Sequence, residues 1–223
     1  MNLIITGASR GIGLELTIQA LQAKHQVLAV VRNLAKSPDL LDLTEKYRDH
    51  LQVIEVDVTN PEAPAKVAAA AKKWETVDLL INNAGVLLKG ETAQDLSESF
   101  QINTIAPFLM TQELLPLLKK GKSPKVVHVT SKMGSIEDNA SGGYYAYRSS
   151  KAALNMINKS LSLDNPWLTT IVIHPGWVKT DMGGSGATLE VADSAAGIWK
   201  VINGLSAQKS GHFFEYNGKE VPW

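Results

Sequence analysis

The stretch Asn2-Leu3-Ile4-Ile5-Thr6-Gly7-Ala8-Ser9-Arg10-Gly11-Ile12-Gly13 decides the fold of this chain. It begins as an apolar strand and continues as a glycine-rich turn, and apolar residues then recur at helical spacing from Ile12 to Leu21. Glycines let a backbone approach a ligand closely, and a helix N-terminus presents free N–H groups and the positive end of the helix dipole. Strand, turn and helix in this order therefore predict a site for the diphosphate of a dinucleotide.

Strand and helix patterns alternate along the rest of the chain. Runs such as Val126-Val127-His128-Val129 and Ile171-Val172-Ile173 are almost continuously apolar, as expected for parallel strands covered on both faces. The pattern predicts strands over 2–6, 26–31, 51–56, 77–81, 124–130, 168–173 and 211–214. It predicts helices over 11–23, 38–48, 62–73, 96–119, 146–162 and 188–204. The predicted fold class is α/β: one Rossmann-type domain over residues 1–223, with a doubly wound parallel sheet of about seven strands and helices on both faces.

Composition restricts the classes of partner. The 223 residues include 22 basic and 22 acidic side chains, so the formal net charge is zero, and we expect neither nucleic acid nor a membrane as a partner. There is no cysteine, and the five histidines show no short ligand-like pairing, so no metal site is predicted. A cytoplasmic location is expected, because the first strand starts at residue 2 and leaves no room for a cleavable signal.

A tyrosine and a lysine lie four residues apart in the stretch from Tyr145 to Asn155. Residues at this spacing share one side of a helix, and a nearby ammonium favours the phenolate, so the pattern predicts a lowered pKa for Tyr147 beside Lys151. A tyrosine of this kind can act as a general acid or base. Tyr144 and Tyr145 have no lysine at the same spacing, so Tyr147 is the predicted proton carrier.

Small and polar residues follow three later strands, at the edge of the sheet where ligands bind. They are Asn82-Asn83-Ala84-Gly85, Thr130-Ser131, and His174-Pro175-Gly176-Trp177-Val178-Lys179-Thr180-Asp181. We prefer Ser131 to Ser135 as the hydroxyl that faces the crevice, because Ser131 lies directly at a strand end. Asn103 is a polar residue beside apolar positions of the predicted helix 96–119.

In this order, these residues resemble the short-chain dehydrogenase/reductase family over essentially the whole chain. The sequence from His174 to Gly184 and the ending Val221-Pro222-Trp223 resemble the sniffer-like carbonyl reductases and the C-factor-like branch. The resemblance implies that Tyr147 exchanges a proton with the substrate oxygen and that Ser131 hydrogen-bonds the same oxygen. It also implies that Lys151 holds the nicotinamide ribose and lowers the tyrosine pKa, while Asn103 organises a water relay behind the lysine.

One spacing departs from the family pattern. Ser131 precedes Tyr147 by sixteen residues, slightly more than is usual, and Ser141-Gly142-Gly143 looks like the insertion.

The resemblance implies a nicotinamide cofactor held by the glycine turn and the strand ends. The expected contacts are Gly7, Ser9, Arg10, Gly11, Ile12, Gly13, Arg32, Asp57, Val58, Asn83, Ala84, Gly85, Tyr147, Lys151, Pro175, Gly176, Val178 and Thr180. Sites for NAD usually carry an acid about 20 residues past the glycines, and here no acid lies between Gln26 and Lys36. Because arginine binds phosphate well, Arg10 and Arg32 favour NADP(H) as the cofactor.

The predicted function is reduction of a small-molecule carbonyl, an aldehyde or ketone, by NADPH, in a homodimer or homotetramer. Apolar loop residues are the candidates for the substrate pocket: Leu87, Leu88, Met133, Ile136, Tyr144, Trp177 and Met182. One alternative is a C-factor-like dinucleotide-binding signalling protein with little or no turnover. Another is a serine hydrolase, because residues 7–11 match the G-x-S-x-G elbow. That elbow requires earlier strands in the sheet, which disfavours the hydrolase.

Overall fold

Seven strands form one parallel sheet in a computed structural model that describes residues 1–223. The strand order is β3-β2-β1-β4-β5-β6-β7. The strands are β1 (Asn2–Thr6), β2 (Gln26–Val31), β3 (Leu51–Glu55), β4 (Leu79–Asn82), β5 (Lys125–Val129), β6 (Thr169–His174) and β7 (Phe213–Glu215). The helices are α1 (Gly11–Gln22), α2 (Pro38–Lys46), α3 (Ala63–Ala71), α4 (Ala93–Phe100), α5 (Ala106–Leu118), α6 (Tyr145–Asp164) and α7 (Val191–Asn203). The predicted fold class is confirmed.

Helices cover both faces of the sheet, which explains the continuously apolar strands. Leu3 and Ile5 of β1 belong to a core formed with α1, α2 and α7, whereas Ile4 belongs to a second core formed with α3 and α5. Helix α6 lies against β6, and just beyond the end of β5 its Asn155 accepts a hydrogen bond from Thr130 at 2.8 Å. Strand order reverses between β1 and β4, so their carboxyl ends open a crevice for a ligand.

The predicted element bounds differ from the structure by no more than three residues, but one predicted helix has a different internal structure. Residues 96–119 were expected to form one regular helix. Helix α4 instead starts at Ala93 after a Thr92–Asp95 capping box, and a π turn over Gln101–Ile105 separates it from α5. Asn103 lies within this turn. Because π turns are rare and often mark functional sites, its position favours a role for Asn103 in the site. No helix combines the length and the apolar character needed to cross a bilayer.

Candidate active site

A cleft of about 880 Å³ opens at the carboxyl ends of the strands. Its walls include every cofactor contact expected from the sequence except Gly176 and Val178. The backbone of Gly176 lies against Leu189 and Tyr216, and Val178 is buried in a bridge with Leu189. These two residues do not line the cleft, and their predicted contact with a cofactor stays a prediction.

At two positions of the glycine turn, Gly7 and Gly13, the surrounding atoms leave no room for a side chain. Gly7 has φ +69°, and a Cβ there would lie 2.9 Å from the Cα of Ala84. A Cβ on Gly13 would lie 2.2 Å from the carbonyl oxygen of Gly7. The amide of Asn83 donates to that same oxygen at 3.1 Å and to the carbonyl oxygen of Thr6 at 3.0 Å. The ends of β1 and β4 are thus joined directly beneath the cleft.

The start of α1 leaves backbone donors free. The N–H groups of Gly11, Ile12 and Gly13 donate to no acceptor within the chain, and Arg10 precedes them without a side-chain cap. Thr180 lies close by, since a Cβ on Gly11 would lie 3.3 Å from its methyl group. Free N–H groups at a helix N-terminus bind anions, so this end of the cleft fits a diphosphate.

Thr6 is a site residue that the sequence reasoning missed. Its hydroxyl accepts hydrogen bonds from the backbone N–H groups of Asn83 at 3.0 Å and Ala84 at 3.1 Å. These two amides are therefore committed to holding the turn after β4. A ligand there would contact other atoms of Asn83 and Ala84. The only signal in the sequence was the position of the threonine immediately before Gly7.

Tyr147 is the buried tyrosine of its segment. Only 6% of its surface is exposed, whereas Tyr145 is 62% exposed and Tyr144 lies at the surface before α6. Burial raises the pKa of the Tyr147 phenol above its usual value of 10, and hydrogen bonding to the Ser131 hydroxyl acts in the opposite direction. Ser135 instead accepts from the backbone N–H of Asp138 at 3.1 Å. The geometry thus brings Ser131, and not Ser135, to the phenol.

Lys151 lies beneath Tyr147, one helical turn further along α6. Its Nζ donates to the carbonyl oxygen of Val129 at 2.9 Å and lies 5.8 Å from the centre of the Tyr147 ring. Burial lowers the pKa of Lys151 from 10.5 to about 8. The predicted net lowering of the Tyr147 pKa is wrong for this structure, because burial of the phenol raises that pKa.

Asn103 fastens the π turn to two neighbouring segments. Its amide accepts from the backbone N–H of Val86 and donates to the carbonyl oxygen of Val86, both at 2.9 Å. The same Nδ2 donates to the Ser150 hydroxyl at 3.0 Å, and that hydroxyl donates to the carbonyl oxygen of Tyr147 at 2.8 Å. Asn103 therefore links the loop after β4 to the helix that carries Tyr147 and Lys151.

Two arginines line the other end of the cleft. Arg32 follows β2 and forms no ion pair, whereas Nη1 of Arg10 lies 2.6 Å from Oδ2 of Asp181. Glu55, at the end of β3, accepts from the backbone N–H of Leu34 at 2.7 Å. Glu55 belongs to the strand next to β2, where the search for an acid in the sequence did not extend. Its side chain does not line the cleft.

Of the residues expected to line the substrate pocket, only some lie at or near the cleft. Met182 lines the cleft, and Ile136, Tyr144 and Trp177 are exposed on nearby loops. Nowhere does the structure assemble three histidine, aspartate or glutamate side chains in a group suited to a metal ion.

Comparison with known proteins decides the family. The model of the short chain dehydrogenase family matches residues 1–188. The chain belongs to this family of oxidoreductases. It is 34% identical to the NADPH-bound carbonyl reductase from chicken fatty liver, with a TM-score of 0.95 over 100% of this chain and 98% of that one. It is 33% identical to the carbonyl reductase Sniffer of D. melanogaster, with a TM-score of 0.94 over 100% of this chain and 99% of that one.

A further relative is the C-signal protein of Myxococcus xanthus. It is 49% identical over 154 residues, which are 66% of this chain and 93% of that protein. The likeness to sniffer-like carbonyl reductases and to the C-factor-like branch is thereby confirmed. Residues 7–11 lead from β1 into α1 in a chain that belongs to the short chain dehydrogenase family, so the hydrolase alternative is set aside.

Proposed function

We propose that this short-chain dehydrogenase reduces aldehydes or ketones to alcohols with NADPH, with Tyr147 as the general acid. The observation that carries the proposal is the burial of a phenol, a hydroxyl and an ammonium close together, with Tyr147 and Lys151 in the wall of the cleft. Tyr147, Ser131 and Lys151 are each less than 10% exposed, although each has a polar group that water would solvate well. Burying such polar groups costs free energy. Groups that are buried despite this cost are typical of a reaction site.

The other end of the cleft supports a dinucleotide. Bound NADPH supplies the hydride for carbonyl reduction. The free N–H groups of Gly11 to Gly13 would hold its diphosphate, and Arg10 and Arg32 would bind a 2′-phosphate. Lys151 would donate to the ribose hydroxyls, since its Nζ has donors beyond the one bound to Val129.

Tyr147 and Ser131 would act on the substrate oxygen. The raised pKa of Tyr147 keeps the phenol protonated at neutral pH, which is the state needed to give a proton to the developing alkoxide. The Ser131 hydroxyl would donate a second hydrogen bond to the same oxygen as negative charge develops there. Asn103 would act through α6, by holding the helix that presents Tyr147 and Lys151.

The test is NADPH consumption with a panel of aldehydes and ketones. We expect turnover by the unaltered chain, loss of turnover in Tyr147→Phe, and nearly unchanged NADPH affinity in that variant, because only one oxygen is removed. Tyr145→Phe is the matched control, since that side chain is exposed two residues earlier. Retention of turnover within a few-fold in Tyr147→Phe contradicts the assignment.

A signalling role without turnover is the second candidate, and the 49% identity to the C-signal protein favours it. Both candidates expect NADPH binding, so binding does not distinguish them. Absence of turnover across the carbonyl panel, with NADPH bound tightly, supports the signalling role.

A further inference from the structure

An exposed ion pair joins two segments of the cleft wall. Arg10 extends from the glycine turn after β1, and Asp181 extends from the loop after β6, and Nη1 and Oδ2 lie 2.6 Å apart. Both residues line the cleft. Asp181 therefore places a carboxylate beside the site proposed for an anionic cofactor, and Arg10 neutralises it.

Hydrogen bonds within the loop after β6 form the turn that contains Asp181. The backbone N–H of Gly184 donates to the carbonyl oxygen of Thr180 at 3.0 Å, and that of Gly183 donates to the Thr180 hydroxyl at 3.2 Å. The indole of Trp177 donates to the carbonyl oxygen of Gly183 at 2.8 Å. These bonds close a compact turn around Asp181, and the carboxylate of Asp181 pairs with Arg10 from this turn.

A carboxylate and a phosphate compete for the same guanidinium donors, because both accept paired hydrogen bonds from arginine. When the cofactor has no 2′-phosphate, Arg10 stays on Asp181 and the carboxylate remains neutralised. A 2′-phosphate bound to Arg10 would take this partner from Asp181 and leave its carboxylate beside an anion. The resulting repulsion would weaken the binding of NADPH and leave the binding of NADH unchanged.

We propose that Asp181 is a specificity-determining residue, which competes with the 2′-phosphate for Arg10. This competition reduces the ratio of NADPH affinity to NADH affinity. The inference rests on the proposed function, since it takes the cleft as the dinucleotide site. Both side chains are 78% exposed, so the pair is solvated and its effect is modest. Exposed pairs of this kind correspond to about a 1.5- to 5-fold change in affinity at low ionic strength.

The test is a double-mutant cycle of Asp181→Asn and Arg10→Ala, read as equilibrium dissociation constants without any carbonyl substrate. NADPH and NADH are titrated by calorimetry into the unaltered chain, both single variants and the double variant, at low and high salt. Asp164→Asn, an exposed acid at the far end of α6, is the matched control. Thermal unfolding checks that each variant is folded.

We expect Asp181→Asn to tighten NADPH binding about 1.5- to 5-fold and to leave NADH binding unchanged. The gain should vanish in the Arg10→Ala background and shrink at high salt. Equal tightening of both dinucleotides, a gain that persists without Arg10, or no gain overturns the inference while leaving the proposed function intact. Failure of the unaltered chain to bind either dinucleotide overturns both.

Discussion

Nδ2 of Asn103 donates to the Ser150 hydroxyl at 3.0 Å, which joins the π turn between α4 and α5 to helix α6. Both side chains are almost fully buried. Because the Ser150 hydroxyl also bonds the carbonyl oxygen of Tyr147, one short chain of hydrogen bonds runs from the π turn to the residue proposed as general acid. Buried hydrogen bonds therefore join the irregular turn to the helix that carries Tyr147.

Ser150→Ala should destabilise the protein and lower turnover. The substitution leaves the Asn103 amide without one buried partner, which costs about 1–3 kcal/mol in the free energy of unfolding. Ser149→Ala is the matched control, because that hydroxyl bonds carbonyl oxygens of its own helix, and we expect a change below about 0.5 kcal/mol. Denaturant unfolding and NADPH-coupled turnover measure the two effects. Equal behaviour of the two variants would show that the link is unimportant.

Lys151 should make the stability of the protein rise with pH. Burial lowers its pKa from 10.5 to about 8, so the unfolded chain binds more protons between these values. Stability from this group is fully present above pH 10.5 and is lost as the pH falls through about 8, a change of roughly 3 kcal/mol. The difference in unfolding free energy between the unaltered chain and Lys151→Met should follow this curve from pH 7 to 10. A flat difference contradicts the buried ammonium.

His128 should make the protein sensitive to acid. Its imidazole is fully buried beside Asn82 on the preceding strand, and burial lowers its pKa from 6.5 to about 3. The unfolded chain therefore takes up a proton that the folded chain refuses, and stability is lost as the pH falls from 6.5 towards 3. Between pH 6.5 and 4.5 the loss is roughly 2–3 kcal/mol.

His128→Gln should remove most of this loss, and His50→Gln, at a half-buried position, is its control. Thermal unfolding from pH 7 to 4.5 measures both variants. The prediction fails if His128→Gln loses stability with acid as steeply as the unaltered chain.

Arg32→Asp should weaken NADPH binding and improve NADH relative to it. One lost charge-assisted contact is worth about 1.5–3 kcal/mol, or roughly 10- to 150-fold in affinity. Arg48→Asp makes the same charge change at an exposed position outside the cleft, and we expect no effect there. Titration of both dinucleotides provides the measurement. An unaltered chain that binds NADH as tightly as NADPH would defeat the predicted preference.

Features determined by local sequence were predictable. The strand, glycine turn and helix at residues 2–22 depend on neighbouring residues, and so does the placement of Tyr147 and Lys151 on one side of α6. The apolar runs likewise predicted a parallel sheet covered on both faces.

Features that depend on distant parts of the chain were not predictable. The π turn at Asn103 depends on contacts with Val86 and Ser150, which lie on other segments. The approach of Asp181 to Arg10 spans 171 positions of sequence. The raised pKa of Tyr147 likewise depends on burial, which helical spacing alone does not show.

Gly134→Ala should disturb the proposed active site through packing alone. Gly134 follows Ser131 in a short turn against α6, and a Cβ there would lie 2.9 Å from both the backbone carbon and the Cβ of Lys151. Because backbone on both sides is fixed, the turn and the helix must separate, which costs about 1–3 kcal/mol and moves Ser131 away from the phenol of Tyr147.

Gly204→Ala is the control for this substitution, since a Cβ there would meet its nearest atom at 3.5 Å and φ is −90°. We expect Gly134→Ala to lower the melting temperature and turnover, with NADPH affinity reduced less than turnover, because the diphosphate end of the cleft is untouched. A crystal structure of the variant would show the displaced turn. Normal turnover in a stable Gly134→Ala protein would mean that the distance between Ser131 and Tyr147 does not limit the reaction.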